Sequence, residues 1–117
     1  MTAYERGDIV LVPFPFTDQT ATKKRPAVVV SSNRYNNISP DIVIMAITSQ
    51  TEKTFMIGEC LIINWKGAGL LKPSSIKPAI STIEQVLVLK KLGALSIDDL
   101  DSLNNILKDL LDLKEKR

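Results

Sequence analysis

The sequence predicts a small, mainly β domain, a compact β-barrel that carries an α-helix at its C-terminal end. Five or more short apolar segments rich in Val and Ile are separated by polar turns, a pattern typical of buried strands. The last segment instead repeats Leu at helical spacing. The chain has 117 residues, 44% of them apolar, with no internal repeat or linker. We therefore expect one domain over residues 1–117 with a real core.

The first four predicted strands differ in how deeply they are expected to be buried. A Gly-Asp turn opens the strand over 7–16, whose two prolines favour an edge position or a bulge. The continuous β-branched run over 26–32 is expected to be buried on both faces. The segment 41–47 is another buried strand, and it becomes polar abruptly at Thr48. A further strand is predicted over 59–65.

The connecting and later segments are less regular. Residues 33–40 are turn material with room for one helical turn, and the Gly-rich segment 66–69 is a turn. The segment 74–83 indicates one or two short strands. The run 85–93 fits a strand, a helix or both, because so short a run has no decisive periodicity.

The C-terminal segment predicts a helix over 97–114. Ser96 can accept from the free N–H groups of the first turn, and Asp99 occupies the capping-box position. An apolar stripe then follows at helical spacing and should face the core. Its members are Leu100, Leu103, Ile106, Leu107, Leu110 and Leu111.

Composition excludes several classes of protein. There is no histidine, so no His-based catalytic triad or His metal ligand is possible. The single cysteine, Cys60, rules out a disulfide within the chain, and its apolar surroundings predict a buried thiol. No apolar run reaches the length of a membrane span, and the polar N-terminus is unlike a signal peptide. We expect a cytoplasmic protein with a net charge of +2 and no membrane partner.

The first candidate site lies where a polar loop enters the strand over 26–32. Arg25 precedes Pro26, which favours an extended backbone at Arg25 and should aim its side chain outward at the strand mouth. Lys23 and Lys24 add positive charge beside it. Together these cations could bind phosphate. Alternatively, they are solvated residues that protect a hydrophobic strand from aggregation.

The second candidate site follows the strand over 41–47. Thr48, Ser49 and Gln50 are polar side chains that begin where the apolar run stops. The β-branched Thr48 should hold its hydroxyl rigidly at the rim of the barrel, where it could position or relay a proton. Ordinary turn chemistry would explain the same residues.

These segments resemble the MazF/PemK family of toxin endoribonucleases. The resemblance is carried by RGDIVLVPFPFTDQTATKKRPAVVVSS, then MAITSQ, GLLKPSSIK and KLGALS before the terminal helix, over about residues 5–112. It implies a small SH3-like β-barrel, shared with CcdB-type toxins, and a homodimer. It also implies cleavage of single-stranded RNA without a metal or other cofactor, by attack of the 2′-hydroxyl, to give 2′,3′-cyclic phosphate and 5′-hydroxyl ends.

The resemblance also assigns roles to residues of this chain. It implies that Arg25 and Thr48 are catalytic. It implies RNA contacts from Thr17, Gln19, Thr20, Lys23, Lys24, Ser49 and Gln50. Trp65 could stack on a base or pack in the core.

The partners implied are the RNA substrate, a neutralising antitoxin and, only together with that antitoxin, operator DNA. Two other functions remain open, because a fold does not fix a function. The chain could be a CcdB-like gyrase poison that acts by protein contact and tolerates loss of Arg25. It could also be an inactive relative that only binds RNA or antitoxin.

Overall fold

A computed structural model describes residues 3–14, 23–51 and 57–113. Six strands form one antiparallel sheet in the order β4-β5-β3-β2-β1-β6. The strands are β1 (Asp8–Phe14), β2 (Lys23–Val29), β3 (Asp41–Thr48), β4 (Cys60–Ile62), β5 (Ser74–Glu84) and β6 (Lys90–Ala94). The helices are α1 (Asn33–Ile38) and α2 (Ile97–Leu110), and a 3-10 turn covers Gln85–Leu87. The predicted mainly β fold with a C-terminal helix is confirmed, and the sheet is curled into a half-barrel.

Several strand boundaries differ from the predicted ones. β2 begins at Lys23, so the cations predicted to precede the strand belong to it. β4 stops at Ile62 because the chain turns from Ile63 onward. The segment 74–83 lies within one continuous strand of 11 residues, β5. The ambiguous run 85–93 contains both the 3-10 turn and most of β6.

Both faces of the sheet are buried, because successive side chains of a strand point to opposite faces and the sheet is curled. One face packs under α2, and its buried members include Ile9, Val28, Met45, Ile76 and the fully buried Leu103 of α2. The other face forms a second cluster that includes Val10, Val12, Ala27, Val29 and Ile44. The prediction that the β2 run is buried on both faces is therefore confirmed for residues 27–29.

Side-chain and backbone hydrogen bonds fix α2 at its N-terminal end. The Ser96 hydroxyl accepts from the Asp99 N–H at 3.2 Å, as the sequence predicts for an N-cap. The buried Asp99 carboxylate accepts from the N–H groups of Ile63 (3.0 Å) and Asn64 (2.9 Å), in the turn after β4. Its carboxylate thus joins α2 to the sheet, a role that the capping-box prediction did not include.

At its C-terminal end α2 stops at Leu110, four residues before the predicted end at 114. Asp112 adopts a left-handed conformation, with φ of 54°. The Leu113 N–H donates to the Lys108 carbonyl at 2.9 Å, and the Asp112 N–H donates to Asp109 at 3.3 Å. This pair of bonds is a Schellman motif, usually built on glycine. Aspartate tolerates the same conformation, so the helix ends without the glycine that would have marked its end in the sequence.

Trp65 and Cys60 are both packed inside the fold. Trp65 is half-buried against the cluster under α2, which favours the core interpretation. Cys60 is a buried free thiol, as predicted. Burial, and after it the nearby Asp99 carboxylate, raises the pKa of the Cys60 thiol. Neither described helix combines the length and apolarity needed to cross a membrane.

Candidate active site

An open cavity of about 1050 Å³ lies at the ends of β2 and β3. Its first wall consists of residues 23–26 of β2 together with residues 47–50 at the end of β3. This wall contains six of the predicted site residues, namely Lys23, Lys24, Arg25, Thr48, Ser49 and Gln50. The other three, Thr17, Gln19 and Thr20, lie outside the described residues.

Sheet register explains why Arg25 and Thr48 reach the same cavity. The antiparallel ladder between β2 and β3 pairs Ala27 with Ala46. Arg25 lies two residues before Ala27, and Thr48 lies two residues after Ala46. Because the strands are antiparallel, both residues lie beyond this pair at the same end of the ladder. On its other side Arg25 is paired with Val12 of β1. The backbone of Arg25 is therefore held in the sheet, and Arg25 is an exposed residue of the cavity lining.

The Thr48 hydroxyl has a defined local environment. Thr48 is half-buried and is paired with Ser75 of β5. Its Oγ1 atom accepts from the Gln50 N–H at 3.2 Å, in a turn centred on Ser49. Because the oxygen accepts this bond, the hydroxyl proton is left to donate to a ligand. This turn also explains how the chain leaves β3 at the cavity rim.

The second wall of the cavity was missed by sequence reasoning. It consists of residues 69–72 and Ser74, which follow the turn after β4, together with residues 90–92 of β6. Leu11 of β1 also lines the cavity. The adjacent lysines 90 and 91 were a weak signal in the sequence, since nothing local connects them with Arg25.

A close backbone approach holds the two parts of the second wall together. A Cβ atom on Gly69, whose φ is 86°, would lie 2.0 Å from the Leu92 carbonyl oxygen. A Cβ atom on Gly93 would lie 2.3 Å from the Ala68 carbonyl oxygen. Only glycine permits both approaches. The turn after β4 is thereby fixed against β6, and residues 69–72 and 90–92 both line the cavity.

Electrostatically the cavity is suited to an anion. Its described lining residues include six cations, Lys23, Lys24, Arg25, Lys72, Lys90 and Lys91, and no carboxylate. Lys91 is partly neutralised, since its Nζ atom lies 3.3 Å from the buried carboxylate of Asp8. That carboxylate also accepts from the Glu5 N–H at 2.9 Å. The remaining cations give the cavity a positive charge that suits phosphate groups.

The groups present define the chemistry that this site can support. Arg25 offers a planar set of N–H donors that stays charged at working pH, and Thr48 offers a neutral hydroxyl. Within the described ranges, no three His, Cys, Asp or Glu side chains are grouped as metal ligands. The arrangement can therefore orient a phosphate and stabilise extra negative charge on it.

Solved structures of toxins share this fold. An endoribonuclease in complex with its cognate antitoxin from Mycobacterial species has a TM-score of 0.78 and 18% identity, covering 97% of this chain and 100% of that chain. Mycobacterium tuberculosis toxin MazF-mt6 has a TM-score of 0.75 and 16% identity, and the match covers 92% of this chain and 99% of that chain. A MazE-MazF structure from Deinococcus radiodurans has a TM-score of 0.73 and 17% identity, and the match covers 97% of this chain and 100% of that chain.

A family model supplies the classification. No match was found among curated proteins. The family model described as the PemK-like, MazF-like toxin of type II toxin-antitoxin systems matches residues 5–111, nearly the whole chain. The resemblance seen in the sequence motifs is thereby confirmed. This chain belongs to the PemK-like, MazF-like family of toxins of type II toxin-antitoxin systems.

Proposed function

We propose that this toxin is an endoribonuclease that cleaves single-stranded RNA at selected sequences without a metal ion. The observation that carries the proposal is the placement of Arg25 and Thr48 on one wall of a cationic cavity, in a chain of this toxin family. A cavity of this charge suits a polyanion, and related solved structures are named as endoribonucleases.

In the proposed reaction the RNA supplies its own nucleophile. The 2′-hydroxyl oxygen attacks the neighbouring phosphorus and loses its proton, while the bond from phosphorus to the 5′-oxygen breaks and that oxygen takes up a proton. The products are a 2′,3′-cyclic phosphate and a 5′-hydroxyl end. Because the nucleophile is already attached to the substrate, the protein has to orient the reacting atoms and stabilise charge.

Arg25 is proposed to stabilise the transition state. Negative charge grows on the non-bridging oxygens as the phosphorus becomes five-coordinate, and the Arg25 guanidinium can donate to them. Loss of one such donor costs other enzymes about 10²–10³-fold in rate, roughly 3–4 kcal/mol. Arginine keeps its protons at neutral pH, so hydrogen bonding and charge account better for its role than proton donation.

Thr48 is proposed to orient the substrate. Its oxygen accepts from the Gln50 N–H, so its own proton can bond a phosphate oxygen or the 2′-oxygen. A neutral hydroxyl is a weak base, and positioning is therefore the role it can perform. Lys23, Lys24, Ser49 and Gln50 would bind the RNA backbone beside it. The RNA contacts of Thr17, Gln19 and Thr20 stay predictions.

The proposal includes partners of the kinds found with related toxins. Two of the similar structures are named as complexes with an antitoxin. We expect a cognate antitoxin to cover the cationic cavity with an acidic segment, and the toxin–antitoxin complex to bind operator DNA. We further expect the toxin to act in the cytoplasm as a homodimer.

The test is cleavage of a long unstructured RNA in EDTA, with the ends of the products mapped. Wild type should cut at a recurring short sequence and leave 5′-hydroxyl ends. Arg25→Ala should lower kcat by about 10²–10³-fold, and Thr48→Val by about 10²-fold through poorer positioning. Arg34→Ala is the matched control, because Arg34 is an exposed arginine of α1 that does not line the cavity.

Thermal melts of each variant separate activity from folding. Arg25 is exposed, so its replacement should change the free energy of unfolding by about 0.5 kcal/mol or less. Cleavage by Arg25→Ala at the wild-type rate would overturn the proposed mechanism. Absence of any cut by a folded wild-type protein would instead favour the non-nuclease binding functions.

A further inference from the structure

We propose that the second wall of the cavity is a subsite for the nucleotide next to the scissile phosphate. In this subsite Lys72 and Lys90 bind the phosphate of that nucleotide, and Leu71 packs against its base. The inference rests on the proposed function, because it takes RNA as the substrate. It adds the residues that would determine which nucleotide flanks the cut.

Strand geometry separates the two adjacent lysines of β6. Lys90 is paired with Leu11, which lines the cavity, whereas Lys91 is paired with Val10, which does not. Adjacent residues of a strand point to opposite faces. Lys91 accordingly reaches the Asp8 carboxylate, and Lys90 belongs to the face of the sheet that carries Leu11.

Lys72 and Lys90 are available to bind an anion. Both are exposed, and neither has a carboxylate partner among the described residues. They reach the cavity from different segments, one following the turn after β4 and the other in β6. Ammonium groups such as these can donate charge-assisted hydrogen bonds to a phosphate group.

Leu71 lines the same cavity and is next to Lys72 in the chain. Its side chain is 93% exposed, although its neighbour Leu70 is buried. The segment is held in place, because the Leu70 N–H donates to the Trp65 carbonyl at 3.0 Å and Gly69 abuts Leu92. An apolar side chain presented beside two cations matches a nucleotide, which combines an anionic phosphate with an apolar base face.

The cavity has room for this second nucleotide. Sites for single small molecules usually measure about 300–1,000 Å³, and this cavity measures about 1050 Å³ between its two walls. A phosphate held by Arg25 and Thr48 on the first wall therefore leaves the second wall available for a neighbouring nucleotide.

The salt dependence of RNA binding tests whether Lys72 and Lys90 each neutralise a phosphate of the bound RNA. The probe is a single-stranded RNA carrying 2′-O-methyl groups throughout, which cannot undergo attack by its own 2′-hydroxyl. Removal of one lysine that neutralises a phosphate should reduce the slope of log K against log salt by about 0.7. We expect that reduction for Lys72→Ala and for Lys90→Ala. Lys77→Ala is the control, because Lys77 is an exposed lysine of β5 that does not line the cavity.

The role of Leu71 is tested by mapping the ends of the cleavage products, which report the base preference next to the cut. Leu71→Ala should relax the base preference at a position next to the cut by at least threefold. Ile63→Ala should leave the preference unchanged, because Ile63 is also exposed but lies outside the cavity lining. Melts should match wild type for all these variants, since the substituted side chains are exposed.

The outcomes separate this inference from the proposed function. If wild type cleaves RNA while the variants of all three residues match it in salt slope and base preference, the subsite is refuted and the nuclease proposal stands. If wild type neither binds nor cleaves RNA, the nuclease proposal fails, and the subsite fails with it.

Discussion

Replacement of Asp99 by alanine should loosen α2 from the sheet. The Asp99 carboxylate is buried and accepts from the N–H groups of Ile63 and Asn64. Alanine removes both bonds but keeps the backbone N–H that donates to Ser96. The variant thus tests the attachment of the helix and leaves its N-cap bond in place.

The expected magnitude follows from the two bonds. Hydrogen bonds to a charged group contribute about 1.5–3 kcal/mol each. Ile63 and Asn64 are exposed, so water can reach their freed N–H groups and the lower value applies. We expect the free energy of unfolding to fall by about 3 kcal/mol. With m between about 1 and 3 kcal/mol/M, the urea midpoint should move down by about 1–3 M.

Asp98→Ala is the matched control for this measurement. Asp98 is exposed in the same first turn of α2 and carries the same charge. Its loss should cost only the favourable interaction with the helix dipole, about 0.3–1 kcal/mol. Equal urea midpoints for the two alanine variants would refute the inference that the Asp99 carboxylate fastens α2 to the sheet.

Two further predictions concern packing. Leu103→Ala should destabilise the protein by about 2–5 kcal/mol, because Leu103 is fully buried on the inner face of α2. Leu107→Ala should cost less, because Leu107 is half-buried. If the thermal melts of both variants coincide with that of wild type, this packing is contradicted. Gly69→Ala should lower Tm and weaken RNA binding together, because the new Cβ would push the turn after β4 away from Leu92. Gly67→Ala, in the same turn, is the control, because its new Cβ would meet only the Asn64 side chain, which can move. If Gly69→Ala lowers Tm and RNA affinity no more than Gly67→Ala does, the inference of a fixed second wall is refuted.

Local patterns of apolar and polar residues in the sequence determined the strands, the C-terminal helix and the first wall of the cavity. The β-branched runs predicted the strands, since buried strands require apolar side chains on both faces. The Arg25-Pro26 step and the polar residues after β3 predicted the first wall, and the register of β2 with β3 brings those two segments together. The spacing of Leu100, Leu103 and Leu107 predicted the face of α2 that packs on the sheet.

The tertiary structure alone decided the features that depend on distant partners. Lys72 and Lys90 join Arg25 in one cavity because the turn after β4 abuts β6, an approach made by backbone atoms that no side-chain pattern records. Asp99 bonds Ile63 and Asn64, which are more than thirty positions away. Short-range spacing in the sequence shows which face of a strand or helix is apolar. Which other element that face packs against depends on the register of the strands and on how the sheet curls. Those are properties of the whole sheet.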